Sequence, residues 1–278
     1  MRNFQANRGL GSTGSCDGHT WSALVEATWA FGDRILVLTA PNLRGDDVAD
    51  LQARLARLGF DAGRVDGIFG PRTAQALETF QANCGLVVDG VCGAKTVRVL
   101  TRVSTQTGDG PGIATLREQE RLRVPPGSLA RCRVVVGQFG GLSALARAIS
   151  RELRLRGATV MSLDEPDAVT QASAANHFGA DVYLGFEATS NAVSVVHYYQ
   201  VPSFESAGGR ALADAIASEF TAGPLNITTQ GMRLPVLRET RMTAVVTTLG
   251  PVGLVGGLTP QISTRLLAAL QVWASSAG

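Results

Sequence analysis

The sequence predicts a multidomain chain in which a small three-helix module, present once in full and once in part, is followed by a layered α/β domain. Three observations carry that expectation. A stretch near the start recurs 76 positions later, residues 46–100 hold two Asp-Gly turns between three helical patterns, and from Cys132 onward short β-branched runs alternate with helical ones. At 278 residues the chain is long enough for two domains.

The repeat aligns Phe4-Gln5-Ala6-Asn7-Arg8-Gly9-Leu10 with Phe80-Gln81-Ala82-Asn83-Cys84-Gly85-Leu86. It continues without a gap through Gly14 and Gly90, Cys16 and Cys92, Thr20 and Thr96, and Leu24 and Leu100, giving 10 identical positions out of 21. So many identities at one offset mark an internal repeat. Residues 1–24 are the tail of a first copy whose opening helix is absent from this chain, and its turn, Gly11 to Gly18, lacks the Asp-Gly step at the matching place.

The second copy is complete. Val48, Leu51, Leu55 and Leu58 recur at helical spacing, with Asp46 or Asp47 expected to cap the helix and Gly59 expected to end it in the left-handed conformation. Asp66-Gly67 makes a tight turn, Gly70 is expected to allow a close backbone approach, and Pro71 suits the first position of the next helix, which carries Leu77 and Phe80 on one face. Asp89-Gly90-Val91-Cys92-Gly93 repeats the turn and leads into a third helix through Thr96 and Leu100.

Residues 101–131 break the pattern. Gly108 to Gly112 reads as a flexible loop, Ile113 to Leu122 as a short solvated helix, and Val124-Pro125-Pro126-Gly127 as its end. Beyond it, strands are expected at 133–136, 158–161, 181–186, 193–199 and 242–249, and helices at 142–156, 167–178, 206–221 and 260–274. The expected boundaries are therefore 1–45 for the partial first module and connector, 46–100 for the complete module, 101–131 for the linker and 132–278 for the α/β domain.

Composition narrows the function. Hydrophobic residues make up 45% and charged residues 17%, so a packed core is expected. The net charge of +2 and the lack of a basic-aromatic patch argue against nucleic acid as a partner. Nothing approaches the roughly 18 consecutive apolar residues of a membrane-spanning helix. The N-terminus shows no charged stretch followed by an apolar one, as for a cytoplasmic chain or for the interior of a longer one. Cys16, Cys84, Cys92 and Cys132 fit no zinc-knuckle spacing; their even count permits two disulfides, and reduced, small buried side chains are the expectation set against it.

Residues 46–100 resemble the peptidoglycan-binding module of cell-wall hydrolases. The likeness rests on Leu51-Gln52, Leu55, Leu58-Gly59-Phe60, Asp66-Gly67-Ile68-Phe69-Gly70-Pro71-Arg72-Thr73, Phe80-Gln81, Gly85-Leu86 and Asp89-Gly90. It implies a shallow groove for glycan or stem peptide, with Asp66, Gly67, Phe69, Gly70, Thr73, Phe80, Gln81, Asp89 and Gly90 as ligand-binding candidates. Most of these are also turn and core positions that any copy of the fold needs.

Residues 132–275 are similar to the zinc-dependent N-acetylmuramoyl-L-alanine amidase domain, a mixed sheet flanked by helices. The similarity rests on the Val134-Val135-Val136 run before Gly140-Gly141, on Arg156-Gly157-Ala158-Thr159-Val160, on Ala175-Asn176-His177-Phe178-Gly179-Ala180-Asp181, on His197-Tyr198-Tyr199 and on Arg241 to Val246. Such a domain holds zinc with His, Glu and His and uses a later Glu as general base. Here the first ligand position is Phe139, the stretch carrying the second is deleted, the third is Glu187, and the general-base position is Thr248. The resemblance therefore implies a fold without a catalytic residue and without its zinc. A rearranged site of Glu187, His177 and His197 is the alternative.

The order of parts, with Gly45 to Leu55 and Asp89 to Gly93, is also similar to cytoplasmic, non-catalytic amidase homologues that regulate cell-wall synthesis in actinobacteria. That similarity implies a regulator or scaffold, with peptidoglycan or a muropeptide and an enzyme of peptidoglycan precursor synthesis as partners. A working amidase or a secreted wall-binding protein are the other expectations left open.

Overall fold

The computed structural model describes residues 1–104, 127–201, 204–221 and 224–275. The helix expected over 113–122 lies outside the described residues, with most of the expected linker. Two compact units result, the first taking in the described residues to Ser104 and the second nearly all of those from Gly127.

The first unit holds helices α1 (Arg2–Asn7), α2 (Gly18–Glu26), α3 (Asp46–Arg57), α4 (Pro71–Asn83) and α5 (Ala94–Ser104). Val48, Leu51 and Leu55 of α3 form one fully buried cluster with Leu77 and Phe80 of α4 and Leu100 of α5. Each such side chain contributes roughly 1.5–3 kcal/mol. Gly59 ends α3 at φ +89°, and the Phe60 N–H closes the turn on the Leu55 carbonyl at 2.9 Å.

The connector and the caps depart from expectation. Residues 31–45 are part of the second copy. Leu36 is fully buried and exchanges backbone hydrogen bonds with Cys92 (3.3 and 2.8 Å), and Phe31 and Leu43 pack on the core. The cap of α3 is Gly45, with no side-chain bond. Asp46 and Asp47 fall in the first turn, where they favour the helix dipole, and pair with Arg8 (2.6 Å) and Arg34 (2.7 Å). All four cysteines are free.

The second unit is a 7-stranded mixed sheet. Its strands are β1 (Arg133–Gln138), β2 (Thr159–Asp164), β3 (Val182–Ala188), β4 (Ser194–Val201), β5 (Phe204–Glu205), β6 (Ile227–Met232) and β7 (Thr243–Leu249). The order is β2-β1-β3-β7-β4-β5, with β6 also on β4. The strands β2, β1, β3 and β7 run parallel, and β4 runs antiparallel to β7. Helices α6 (Ser143–Leu155), α8 (Ala207–Glu219) and α10 (Val252–Ser275) cover one face, burying Leu145, Ile149, Leu212, Ile216, Leu266 and Leu270. Helices α7 (Ala168–Phe178) and α9 (Pro235–Glu239) pack together by the other face.

The second unit differs from the sequence expectation in the short elements β5 and α9, which were not expected, in β6, in the start of α10 and in where the unit begins. Strand β6 was not expected, because Ile-Thr-Thr-Gln-Gly-Met buries only its two ends and shows no alternation. Helix α10 begins at Val252, eight residues before the expected start, and runs through Pro260. The Gly256 carbonyl, which Pro260 cannot pair, accepts a hydrogen bond from Thr259 Oγ1 at 3.1 Å. The second unit also begins before Cys132: Leu129, inside the expected linker, is buried in its core.

Candidate functional site

In the module, three glutamines organise three turns in the same way. Gln52 of α3 donates from Nε2 to Asp66 Oδ1 (2.9 Å), the Ile68 carbonyl (3.1 Å) and Thr73 Oγ1 (3.1 Å), and its Oε1 accepts from the N–H groups of Asp66 (3.0 Å) and Gly67 (2.8 Å). Gln81 of α4 repeats this with Asp89 (2.8 Å), the Val91 carbonyl (3.0 Å), Thr96 (3.4 Å) and the Gly90 N–H (3.0 Å). Gln5 of α1 repeats it with Thr13 (3.2 Å), the Ser15 carbonyl (2.8 Å), Thr20 (3.0 Å) and the Gly14 N–H (2.8 Å). A primary amide suits this post because it both donates and accepts, satisfying a tight turn's groups without a buried charge. The Val91 N–H and the Gln81 side chain hold the Asp89 carboxyl below the usual carboxylate range. Thr13 takes the aspartate's place in the first copy, so the turn that looked eroded in sequence keeps its clamp.

The binding candidates inherit these positions. Asp66, Gly67, Thr73, Gln81, Asp89 and Gly90 are engaged in the clamps, and Gly67 and Gly90 sit at φ +72° and +66°, where glycine is required. Phe69 and Phe80 are fully buried in the core. Gly70 caps α4 with φ −96°, and a Cβ there would meet nothing, so no close approach explains it. Gln5 and Gln52 were missed as clamp residues. The shared spacing of Asp66 to Thr73 and Asp89 to Thr96, each behind a helical glutamine, was the signal available.

In the second unit, the carboxyl ends of parallel strands are where α/β sheets place their sites. Phe139 directly follows β1, and its N–H donates to the Phe186 carbonyl at 3.0 Å. Glu187 and Thr248 are register partners on β3 and β7, with Thr248 Oγ1 donating to Glu187 Oε2 at 3.4 Å. Two of the positions singled out in the sequence, Glu187 and Thr248, thus sit side by side, and the third, Phe139, comes to the same end of the sheet. Between β1 and α6 lie only Phe139 to Leu142. Gly140 and Gly141 turn the chain at φ +121° and +78°, and buried Gln138 holds the turn by accepting from the N–H groups of Gly140 (2.8 Å) and Leu142 (3.4 Å). No room remains there for the ligand-bearing stretch that the resemblance expects.

Beneath this edge, the Tyr183 hydroxyl donates to Gln171 Oε1 (2.7 Å), whose Nε2 donates to the Gln138 carbonyl (3.0 Å). A Cβ on Gly137 would stand 2.0 Å from Gln171 Oε1, so the network requires glycine there.

These residues do not fit a zinc ion. An aromatic ring, one exposed carboxylate and a hydroxyl are too few donors for a site that needs three protein ligands. The alternative trio does not converge either. His177 ends α7, its Nδ1 3.3 Å from the Ser173 carbonyl, on the amino-terminal side of the sheet, about 17 Å of strand from Glu187. His197 of β4 is buried opposite Val246 of β7, its Nδ1 without a hydrogen-bond partner among the described residues, and burial lowers its pKa to about 4. Among the described residues, no three His, Cys, Asp or Glu side chains converge as a metal site.

A helical module built on glutamine-clamped turns followed by a mixed α/β sheet flanked by helices defines the class of peptidoglycan-binding module plus amidase-type domain. Residues 44–100 match the family of the peptidoglycan binding domain. The chain is 33% identical over 287 residues to N-acetylmuramoyl-L-alanine amidase CwlM of Mycobacterium tuberculosis, across 90% of this chain and 70% of that protein. It belongs to that N-acetylmuramoyl-L-alanine amidase family. A spore cortex-lytic enzyme of Bacillus cereus is 50% identical over 60 residues, 22% of this chain and 23% of the enzyme. Among solved structures, amidase AmiC2 of Nostoc punctiforme is similar with a TM-score of 0.39 and 13% identity, over 51% of this chain and 94% of that one. No helix among the described residues is long and apolar enough to cross a membrane.

Proposed function

We propose that this chain is a peptidoglycan-associated member of the amidase family that does not hydrolyse its ligand and acts as a regulator or scaffold of peptidoglycan synthesis in the cytoplasm. The observation that carries the proposal is the edge formed by Phe139, Glu187 and Thr248. The scaffold that would aim a metal and a base is kept, while the side chains there supply neither a metal's donors nor a general base. A sheet kept without its chemistry retains a surface, and a surface serves partner binding. The partner class is an enzyme of peptidoglycan precursor synthesis, with peptidoglycan or a muropeptide as the module's ligand.

The test is zinc per chain in protein purified without chelators and then dialysed against zinc. The proposal expects well under about a tenth of an equivalent, since a lone carboxylate binds zinc weakly. Near one equivalent, lost in Glu187→Ala, would overturn it.

A further inference from the structure

The two ends of the sheet are treated differently. An open sheet leaves N–H and C=O groups along its outer strands, and these invite a further strand unless something blocks it. At the β2 end the edge is blocked. The Thr159 N–H donates to the Cys132 carbonyl, so Thr159 faces the β1 side and Val160, next along, turns its backbone groups outward. Arg154 of α6 donates to that outward Val160 carbonyl (3.0 Å) and to Ser162 Oγ (3.3 Å), laying a charged side chain on the edge.

At the other end β6 has no such guard. It pairs with β4 in an unbroken register from Ser194 and Ile227 to Tyr199 and Met232, which leaves no bulge. Backbone groups point alternately to either side of a strand, so half of those on β6 face away from β4. Among the described residues, no other strand pairs with them. The run Ile227-Thr228-Thr229-Gln230-Gly231-Met232 holds no charge and no proline. Thr228, Thr229 and Gln230 are exposed in succession, so both faces of the middle of the strand reach solvent.

The composition of the strand selects its partner. A partner chosen by charge finds nothing to read in it, whereas a second copy of the same strand meets no like charge. Identical strands running antiparallel about a twofold axis must match outward groups with outward groups, so the axis passes through a residue. With Thr229 on the axis, Thr229 faces Thr229 of the second copy, Thr228 faces its Gln230 and Ile227 its Gly231. Hydroxyl and amide side chains pair well across strands. Arg233, just past the strand, falls opposite Leu225 and not opposite another cation. Such pairing uses the unguarded edge of both copies and therefore stops at two.

We propose that β6 is a self-association edge, through which two copies of this chain pair antiparallel about a twofold axis at Thr229 and join their sheets. The strip is about five residues long on each side, which falls short of the roughly 1,200–2,000 Å² of a lasting interface, so the dimer is reversible and depends on concentration.

The experiment is sedimentation equilibrium of the full chain from about 1 to 500 μM. The variants are Thr229→Lys, Thr229→Glu and, on the blocked edge, Thr159→Lys, with unchanged circular dichroism as the folding control. The proposal expects the mass to rise from the 29.1 kDa of one chain toward twice that value. Each charged Thr229 variant sets like charges opposite each other and associates about fivefold or more weakly. An equal mixture of the two sets Lys against Glu and recovers association to within about twofold of the original chain. Thr159→Lys leaves association unchanged. In the original chain, amide hydrogen exchange over 227–232 slows as concentration rises, a readout that needs no variant. A chain that stays monomeric throughout would overturn the proposal. So would a dimer indifferent to Thr229→Lys, one not restored in the mixture, one without slowed exchange in β6, or a mass that climbs past two chains.

Discussion

The two units keep opposite halves of what their family resemblance implies. In the module the motif is intact, and its residues are engaged in holding the fold: Gln52, Asp66, Gly67, Thr73, Gln81 and Asp89 are bonded to one another. At the sheet edge the fold is kept, and the residues at the motif positions take little part in holding it. Thr248 and Glu187 share one long hydrogen bond of 3.4 Å, and Phe139 contributes a backbone bond that any residue could make. A motif preserved in sequence is therefore weak evidence of ligand contact where its members are buried. A motif replaced over a preserved scaffold is stronger evidence about chemistry.

If that contrast holds, the largest effect falls in the module. Gln52→Leu leaves the Asp66 and Gly67 N–H groups without their buried acceptor and is expected to destabilise the first unit by about 3–5 kcal/mol, read by urea unfolding. An effect below about 1 kcal/mol would detach the motif from the fold.

The next effect concerns His197. Its pKa is lowered from 6.5 to about 4 by burial, so the unfolded chain binds a proton more readily than the folded one. Stability is full above about pH 6.5 and is lost as pH falls toward 4, by at most about 3 kcal/mol from this group. In His197→Phe this part of the acid sensitivity should disappear from unfolding curves. A slope between pH 6.5 and 4 that is unchanged would show that His197 is not the group responsible.

Gln5→Leu sharpens the contrast within the repeat. Its clamp holds a Thr13-Gly14 turn closer to solvent, and the expected loss is about 1–2 kcal/mol. Glu187→Ala and Thr248→Val should fall within about 0.5 kcal/mol of the original chain, as for surface positions outside any network.

Much of this was legible in the sequence because the relevant signals are local. The second copy's helices follow from the spacing of Val48, Leu51 and Leu55, and Gly59 marks the end of α3. The parallel strands follow from runs such as Val134-Val135-Val136. The meeting of Phe139, Glu187 and Thr248 followed from the family resemblance together with the short step from Gly141 into α6. What escaped depends on contacts far apart in sequence. Residues 31–45 carry no periodic signal, and contacts distant in sequence, such as Leu36 with Cys92 and Leu43 with Phe69, make them part of the module. Strand β6 is polar, and its place is fixed by β4. Helix α10 was expected only from residue 260, because the side-chain bond that supports the Gly256 carbonyl cannot be read from spacing.

The central claim is that the amidase scaffold here has no amidase chemistry. The most direct measurement is release of stem peptides from purified sacculi by the full chain with zinc supplied, beside Glu187→Ala. The account predicts no release above buffer for either protein. Peptide release by the original chain that is lost in Glu187→Ala would contradict it.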